Sequence, residues 1–227
     1  LEEKGLKADY EITSEPTSWT RGNEKGIGIA IAHSGHCILE VETKGTKSLI
    51  WRPDVGINAI SMMAKLLSAL DRLEFTHKPP KVYGPTKPRV CFVKIEGGKK
   101  GETQFAADRC RVRVVVIGLV PGMTKESILS DIKNLILRLK EEDKDFEAAV
   151  EIMKGYTFIP ATEEVAEDSI HVQALVEAYQ EVTGKKPELY RKHAFCDTIQ
   201  FSLHGIPAVT FGPGEDSWPP VNEFIDL

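Results

Sequence analysis

The sequence predicts an α/β chain carrying a compact α+β domain within it, and two observations carry that expectation. Residues 37–144 read in order as strand, helix, two strands and a second helix, the make-up of one sheet with helices on one face. The chain then closes on a buried strand, Ala208-Val209-Thr210-Phe211, that runs straight into the glycine-proline loop Gly212-Pro213-Gly214. Ligands of α/β proteins collect where strand ends open into loops of this kind.

Residues 8–14 have a strand-like mix that ends at Glu15-Pro16-Thr17, since proline cannot continue a ladder. Residues 26–32 read as a buried strand; the glycines at 26 and 28 lack the third glycine and following helix of a dinucleotide fingerprint. Residues 37–43 alternate well enough to have one wet face. Ile60, Met63, Leu66, Leu67, Leu70 and Leu73 fall on one face of a helix over 58–73, with Asn58 placed to cap it. Prolines at 79, 80, 85 and 88 make a stiff connector. Residues 90–95 and 111–117 are strands. Pro121-Gly122 turns the chain and Thr124 caps a helix whose apolar face is Ile128, Leu129, Ile132, Leu135, Ile136 and Leu139. Residues 149–153 predict a strand leaving this domain, and 169–183 a helix with Val172, Leu175, Val176 and Tyr179 inward.

At 227 residues the chain holds one large domain or two modest ones, with 41% hydrophobic and 28% charged residues, the balance of a globular protein. Lys and Arg are dispersed among Asp and Glu and the formal net charge is -5. That leaves no one-sided basic face, so nucleic acid is not an expected partner. No apolar run is long enough for a membrane helix. Cys37, Cys91, Cys110 and Cys196 show no CxxC spacing and read as reduced thiols of a cytoplasmic protein. The opening Leu1-Glu2-Glu3-Lys4 resembles the middle of a helix more than a natural start.

Three places attract chemistry. Glu15 sits past a strand end, where a carboxylate can reach a metal or a substrate amine. Asp197 precedes a helix-like stretch, and the loop from Gly212 to Glu223 gathers Glu215, Asp216 and Glu223. Each has a plainer reading: a strand-end acid, an N-cap and a solvated loop, because most carboxylates are surface groups. His33 and His36 stand three apart, short of the three or four converging ligands zinc needs. His193 and Cys196 form a thiol–imidazole pair on paper. A GxSxG elbow and a phosphate-binding glycine loop are both absent.

Taken in order, Ala8-Asp9, Glu15-Pro16-Thr17, Pro53-Asp54-Val55-Gly56-Ile57-Asn58-Ala59 and Gly97-Gly98 resemble one family. Asp108-Arg109-Cys110, Pro121-Gly122-Met123-Thr124, Asp197, Gly205-Ile206-Pro207, Phe211-Gly212-Pro213-Gly214 and Asn222-Glu223 continue the match. The family is that of the zinc-dependent exopeptidases and deacylases, including acetylornithine deacetylase, succinyl-diaminopimelate desuccinylase and carboxypeptidase G. The resemblance implies a zinc-exopeptidase-like α/β catalytic domain, here residues 1–35 and 146–227 without its N-terminal part. An α+β dimerisation domain, residues 36–145, would interrupt it and pair the chain as a homodimer. In that family two zinc ions bridged by an aspartate activate a water for attack on an amide carbonyl. The first histidine, the bridging aspartate and the catalytic glutamate belong to a segment upstream of Glu15.

Of the expected metal ligands Glu15 is present, but Pro219 stands where the last histidine belongs, and proline offers no donor atom. Ser48 falls near the dimer-domain histidine that steadies the oxyanion, and Gln104 takes the place of a substrate-facing asparagine. The Asp-x-Arg pattern has become Val116-Ile117-Gly118. Asp197, Gly212 and Gly214 remain as cleft residues. The resemblance thus implies a catalytically impaired relative, with zinc weak or absent, that binds a peptide or N-acyl amino acid or acts through dimerisation. The alternative is an active metal-dependent amidohydrolase, deacylase or exopeptidase, in which Glu215, Asp216 or His193 replaces the ligand lost at Pro219. A third reading is a structural partner subunit of a larger hydrolase. Whether the chain is an enzyme stays open at this point.

Overall fold

The computed structural model describes residues 7–21, 24–82, 87–155 and 157–214. The strands in chain order are β1 (Glu11–Thr13), β2 (Ser18–Arg21), β3 (Glu24–His33), β4 (Gly35–Lys44), β5 (Arg89–Gly97), β6 (Arg109–Leu119), β7 (Ala148–Ile152), β8 (Phe158–Ile159), β9 (Glu188–Lys192) and β10 (Ala208–Thr210). The helices are α1 (Ala59–Leu70), α2 (Lys125–Glu142), α3 (Ile170–Thr183) and α4 (Thr198–Leu203). They form two compact units: Leu1–Gly35, Pro79–Thr86 and Ala161–Leu227 make the first, His36–Lys78 and Lys87–Pro160 the second. No helix among the described residues is long and apolar enough to cross a membrane.

The second unit is a sheet in the order β5-β6-β4-β7, with β8 pairing the start of β4. Alternation puts Leu39, Val41, Val112, Val114 and Val116 on one face, where Met63, Leu66, Leu70, Ile128 and Ile132 cover them. Burying each such side chain contributes about 1.5–3 kcal/mol, which is what holds both helices on that face. Asn58 Oδ1 accepts the Ile60 and Ser61 N–H groups at 2.9 and 3.3 Å, capping α1 as expected. Thr124 and Ser127 cap α2 reciprocally, each hydroxyl accepting the other's backbone N–H, at 3.2 and 3.0 Å.

Helix α1 stops at Leu70, short of the expected 73, because the Arg72 and Leu73 N–H groups turn back to Ala69 and Leu70 carbonyls. Met62 is buried, while Ile60 in the first turn is left exposed. Residues 148–152 do not leave the domain: β7 lies antiparallel to β4, pairing Val150 with Val41. The unit therefore runs to Pro160, past the boundary expected near 145, because β4 needs a neighbour on that side. Residues 79–82 group with the first unit.

In the first unit β3 is flanked by β2 and β10, both antiparallel, and by β9, which runs parallel to it; β1 lies parallel to β10. Ile29, Ile31 and Val209 pack with Val172 and Val176 of α3. Hydrophobic periodicity misses β2 and β9, and the reason is clear for β9. Its Arg191 is fully buried, yet satisfied on every side. The guanidinium donates to the carbonyls of Val82, His33 and Thr162 at 3.0, 2.9 and 2.9 Å and pairs with Glu164 at 2.7 Å. A charge held by partners takes a place that pattern reading reserves for an apolar residue.

Candidate functional site

Parallel pairing of β1 with β10, Thr13 opposite Thr210, delivers Glu15-Pro16-Thr17 and Gly212-Pro213-Gly214 side by side past the carboxyl ends of two strands. Thr17 N–H donates to the Gly212 carbonyl at 3.1 Å and Ser18 N–H to that of Gly214 at 3.0 Å. The Thr17 hydroxyl accepts the Gly212 N–H at 3.2 Å, closing the junction. Gly212 is required by space: a Cβ there would lie 2.7 Å from the Glu15 carbonyl oxygen. Gly214 is required by conformation, with φ +97°. Glu15 itself is half-buried at this junction.

Asp197 is exposed and leads into α4, but it has helical dihedrals (φ -60°, ψ -23°) and its side chain caps nothing. The expected N-cap role is therefore absent, since a capping residue sits in the extended region. Its charge is felt instead by Glu11: burial raises that carboxyl's pKa, the Thr13 hydroxyl pulls it down, and Asp197 adds to the rise.

Beneath these segments runs a chain of hydroxyls. Thr13 donates to Glu11 Oε1 at 2.6 Å, Thr198 to Thr13 at 2.6 Å, and Thr198 and Thr210 are 2.8 Å apart. Thr210 meets His33 Nε2 at 2.9 Å, and Cys196 Sγ lies 3.4 Å from the same nitrogen and 3.1 Å from Thr198. A carboxylate only accepts, so an ionised Glu11 fixes the direction of every link. Thr198 spends its one proton on Thr13, Thr210 donates to Thr198, and Thr210 accepts from His33. The ring proton therefore sits on Nε2, leaving Nδ1 a bare lone pair, in keeping with its lack of a partner among the described residues. Burial, reinforced by the Lys192 and Arg191 charges, lowers the His33 pKa to about 3. The imidazole is neutral at ordinary pH and serves as a fixed donor.

His33 is thus committed to Thr210 and Cys196, while His36 begins the ladder of β4 with β8 in the second unit. The two do not act as a pair. The thiol–imidazole contact exists, but with His33 in place of the exposed His193. Periodicity could not reveal Glu11, Thr13, Thr198 and Thr210. One signal was available: a threonine stands two residues before Glu15 and another two before Gly212.

The second unit holds Ser48 and Gln104. Residues 48–50 run antiparallel to 104–106, with Ala106 N–H on the Ser48 carbonyl at 2.9 Å and Ile50 N–H on the Gln104 carbonyl at 3.1 Å. This wall borders a recess of about 340 Å³ lined by Ser48, Asn58, Gly97, Gly98, Glu102 and Phe105. The Ser48 hydroxyl is buried, with no hydrogen-bond partner among the described residues. It is pressed against Gly56, where a Cβ would come within 2.4 Å of Ser48 Oγ. Lys47 crosses the Phe105 ring at 5.2 Å and pairs with Glu102 at 3.2 Å. Gln104 is exposed.

Glu15, Asp197, Gly212 and Gly214 thus belong to the first unit, and Ser48 and Gln104 to the second. Pro219, Glu215, Asp216 and Glu223 lie outside the described residues. Zinc needs three or four converging donors. Among the described residues no three His, Cys, Asp or Glu side chains converge, and Glu15 is the one expected ligand present. The described residues do not fit a zinc ion. All four cysteines are free; burial pushes the Cys37 thiol up to about 11 and raises that of Cys110.

Comparison with known proteins places this geometry. The peptidase dimerisation domain of the M20 family matches residues 31–144, half of the chain. Acetylornithine deacetylase of Photorhabdus laumondii is 26% identical, over 98% of this chain and 53% of its own length. The Escherichia coli K12 protein YgeY is 24% identical, over 95% of this chain and 52% of its own. The chain spans about half the length of the curated relatives it matches. Aminopeptidase PepT of Bacillus cereus shares the fold, with TM-score 0.68 at 18% identity, over 99% of this chain and 54% of its own. The chain belongs to the M20 family of metallopeptidases and deacylases.

Proposed function

We propose that this chain binds a small peptide or N-acyl amino acid on an amidohydrolase scaffold whose hydrolytic chemistry is impaired, and that it pairs as a homodimer through its second unit. The observation that carries this reading is Ser48. The resemblance expects a histidine there to steady a developing oxyanion, and the recess instead presents a small neutral hydroxyl, buried and pressed against Gly56. A serine hydroxyl can donate one hydrogen bond but cannot carry the positive charge that makes such a donor strong. Losing one oxyanion donor costs roughly 10²–10³ in rate. Pro219 adds the loss of a metal donor to that deficit.

The test is direct. The protein, supplied with zinc, is offered N-acetyl-L-ornithine, N-acetyl-L-alanine and dialanine, and both binding heat and amine release are followed. Binding without release supports the reading; zinc-dependent release at a rate typical of enzymes rejects it.

One observation favours a second reading, an active metal-dependent amidohydrolase. The junction that presents Glu15 is held tightly by Gly212 and Thr17, as a ligand-bearing loop needs to be. In that case Asp216→Ala, Glu215→Ala or His193→Ala abolishes turnover. Unchanged turnover in all three rules out a replacement ligand among them.

A further inference from the structure

The first unit holds a recess of its own, of about 520 Å³, within the range that small ligands occupy. It opens at the amino ends of β1 and β10, where Tyr10 and Pro207 stand, whereas Glu15 and Gly212 leave the carboxyl ends of the same strands. Its walls are fixed through the backbone. The Val165 N–H donates to the Ile31 carbonyl at 2.9 Å and the Glu11 N–H to that of Pro207 at 3.0 Å. Val165, Leu203, Ile206 and Pro207 make the lining mainly apolar. Tyr10 is 45% exposed here, and its ring stacks on His171, centroids 4.5 Å apart and planes 28° from parallel. One face of the phenol is therefore backed and the other is left open. His171 is buried, both ring nitrogens lack a partner among the described residues, and burial lowers its pKa. The backing ring is neutral and adds no positive charge. Glu164 is neutralised by Arg191 at 2.7 Å, but the exposed Glu163 carboxylate has no counter-ion among the described residues.

We propose that this recess binds a small organic ammonium ion with an apolar body. The carbon body lies against Val165, Leu203, Ile206 and Pro207, and the charged nitrogen sits between the open face of Tyr10 and the Glu163 carboxylate. The negative face of an aromatic ring attracts a cation and disfavours an anion. A carboxylate without a counter-ion adds a full charge of the same preference. One feature opposes them: α3 begins beside Ser169 at the recess, and a helix N-terminus favours anions with about half a charge. Ser169 itself is committed elsewhere, donating its hydroxyl to the Ala166 carbonyl at 2.6 Å. The full charge of Glu163 and the face of Tyr10 together outweigh that half charge. The apolar lining selects a cation that carries carbon over an inorganic ion, which would lose its hydration there. The inference is independent of the hydrolytic and homodimer readings.

Ligand-observed NMR titration of the whole chain tests this with probes of one shape and different charge: phenethylammonium, phenethyl alcohol and hydrocinnamate. The ammonium is expected to bind about tenfold more tightly than the alcohol, and the carboxylate more weakly than either. Glu163→Gln and Tyr10→Leu should each weaken the ammonium about threefold, while Tyr10→Phe keeps the ring and the affinity. Binding of the alcohol should ignore Glu163→Gln. Circular dichroism confirms that the variants are folded. An ammonium bound no more tightly than the alcohol or the carboxylate overturns the proposal. So does an ammonium affinity that ignores both Glu163→Gln and Tyr10→Leu, or the absence of ammonium binding at millimolar concentration.

Discussion

His33 makes the acid stability of the first unit measurable. In the fold its pKa is about 3 against 6.5 for an ordinary histidine, because burial and the Lys192 and Arg191 charges disfavour a second ring proton. Between those values the unfolded chain binds a proton that the native state refuses, so unfolding gains ground as pH falls. The contribution is complete above about 6.5 and is lost progressively below it. At 1.36 kcal/mol per unit, the whole interval amounts to about 5 kcal/mol, and the stretch from pH 6.5 to 4.5 to about 3 kcal/mol. His36 and His171 are lowered by burial too, but they are common to both proteins in a comparison with His33→Gln. Glutamine's Nε2 can still donate to Thr210 and does not titrate, so any fixed packing cost shifts its curve without tilting it. Urea unfolding of parent and variant, followed by circular dichroism at several pH values in this window, should give curves that converge towards acid. A difference that stays constant from pH 7.5 to 4.5 would refute the argument, showing that His33 titrates alike in folded and unfolded chains.

Two other substitutions probe the segments around it. Gly212→Ala forces a methyl to within 2.7 Å of the Glu15 carbonyl oxygen, backbone that cannot swing aside; a loss of about 1–3 kcal/mol in urea midpoint analysis is expected, and a neutral result would show that the junction yields. Glu164→Gln leaves the Arg191 charge buried without a counter-ion and should cost about 3 kcal/mol by the same assay. Although burial alone would raise the Glu164 pKa, the Arg191 hydrogen bond, backbone donors and Arg191 charge bring it below the usual carboxylate range. Its contribution is therefore full above about pH 4.5 and fades below.

The elements legible in the sequence were those with regular apolar spacing. Helix α2 shows its whole face from Ile128 to Leu139, and the Thr124 cap announces its start. Helix α3 and the strands β3 to β6 follow the same logic. Strand β9 was invisible because its interior is held by hydrogen bonds to Arg191 in place of methyl groups. The Glu15 and Gly212 segments could be named from their residues, yet their adjacency depends on β1 pairing with a strand almost two hundred positions away. No local pattern encodes the line of hydroxyls from Glu11 to His33, which exists only after β1, β3, β10 and α4 have assembled.

Arg191 has a consequence for how the chain comes off the ribosome. The carbonyl of His33 waits 158 residues for its guanidinium partner, and Val82 waits 109. The second unit instead closes its sheet once Pro160 is made, with its longest segment contiguous from Lys87. Pairings over shorter spans form sooner, and units emerging first fold first. The inserted block is therefore the piece that matures during synthesis, while β1 and the β2–β3 pair wait for β9 and β10 until the last quarter of the chain arrives. Pulse proteolysis during synthesis should find residues 36–78 and 87–160 resistant while residues 7–33 are still cut.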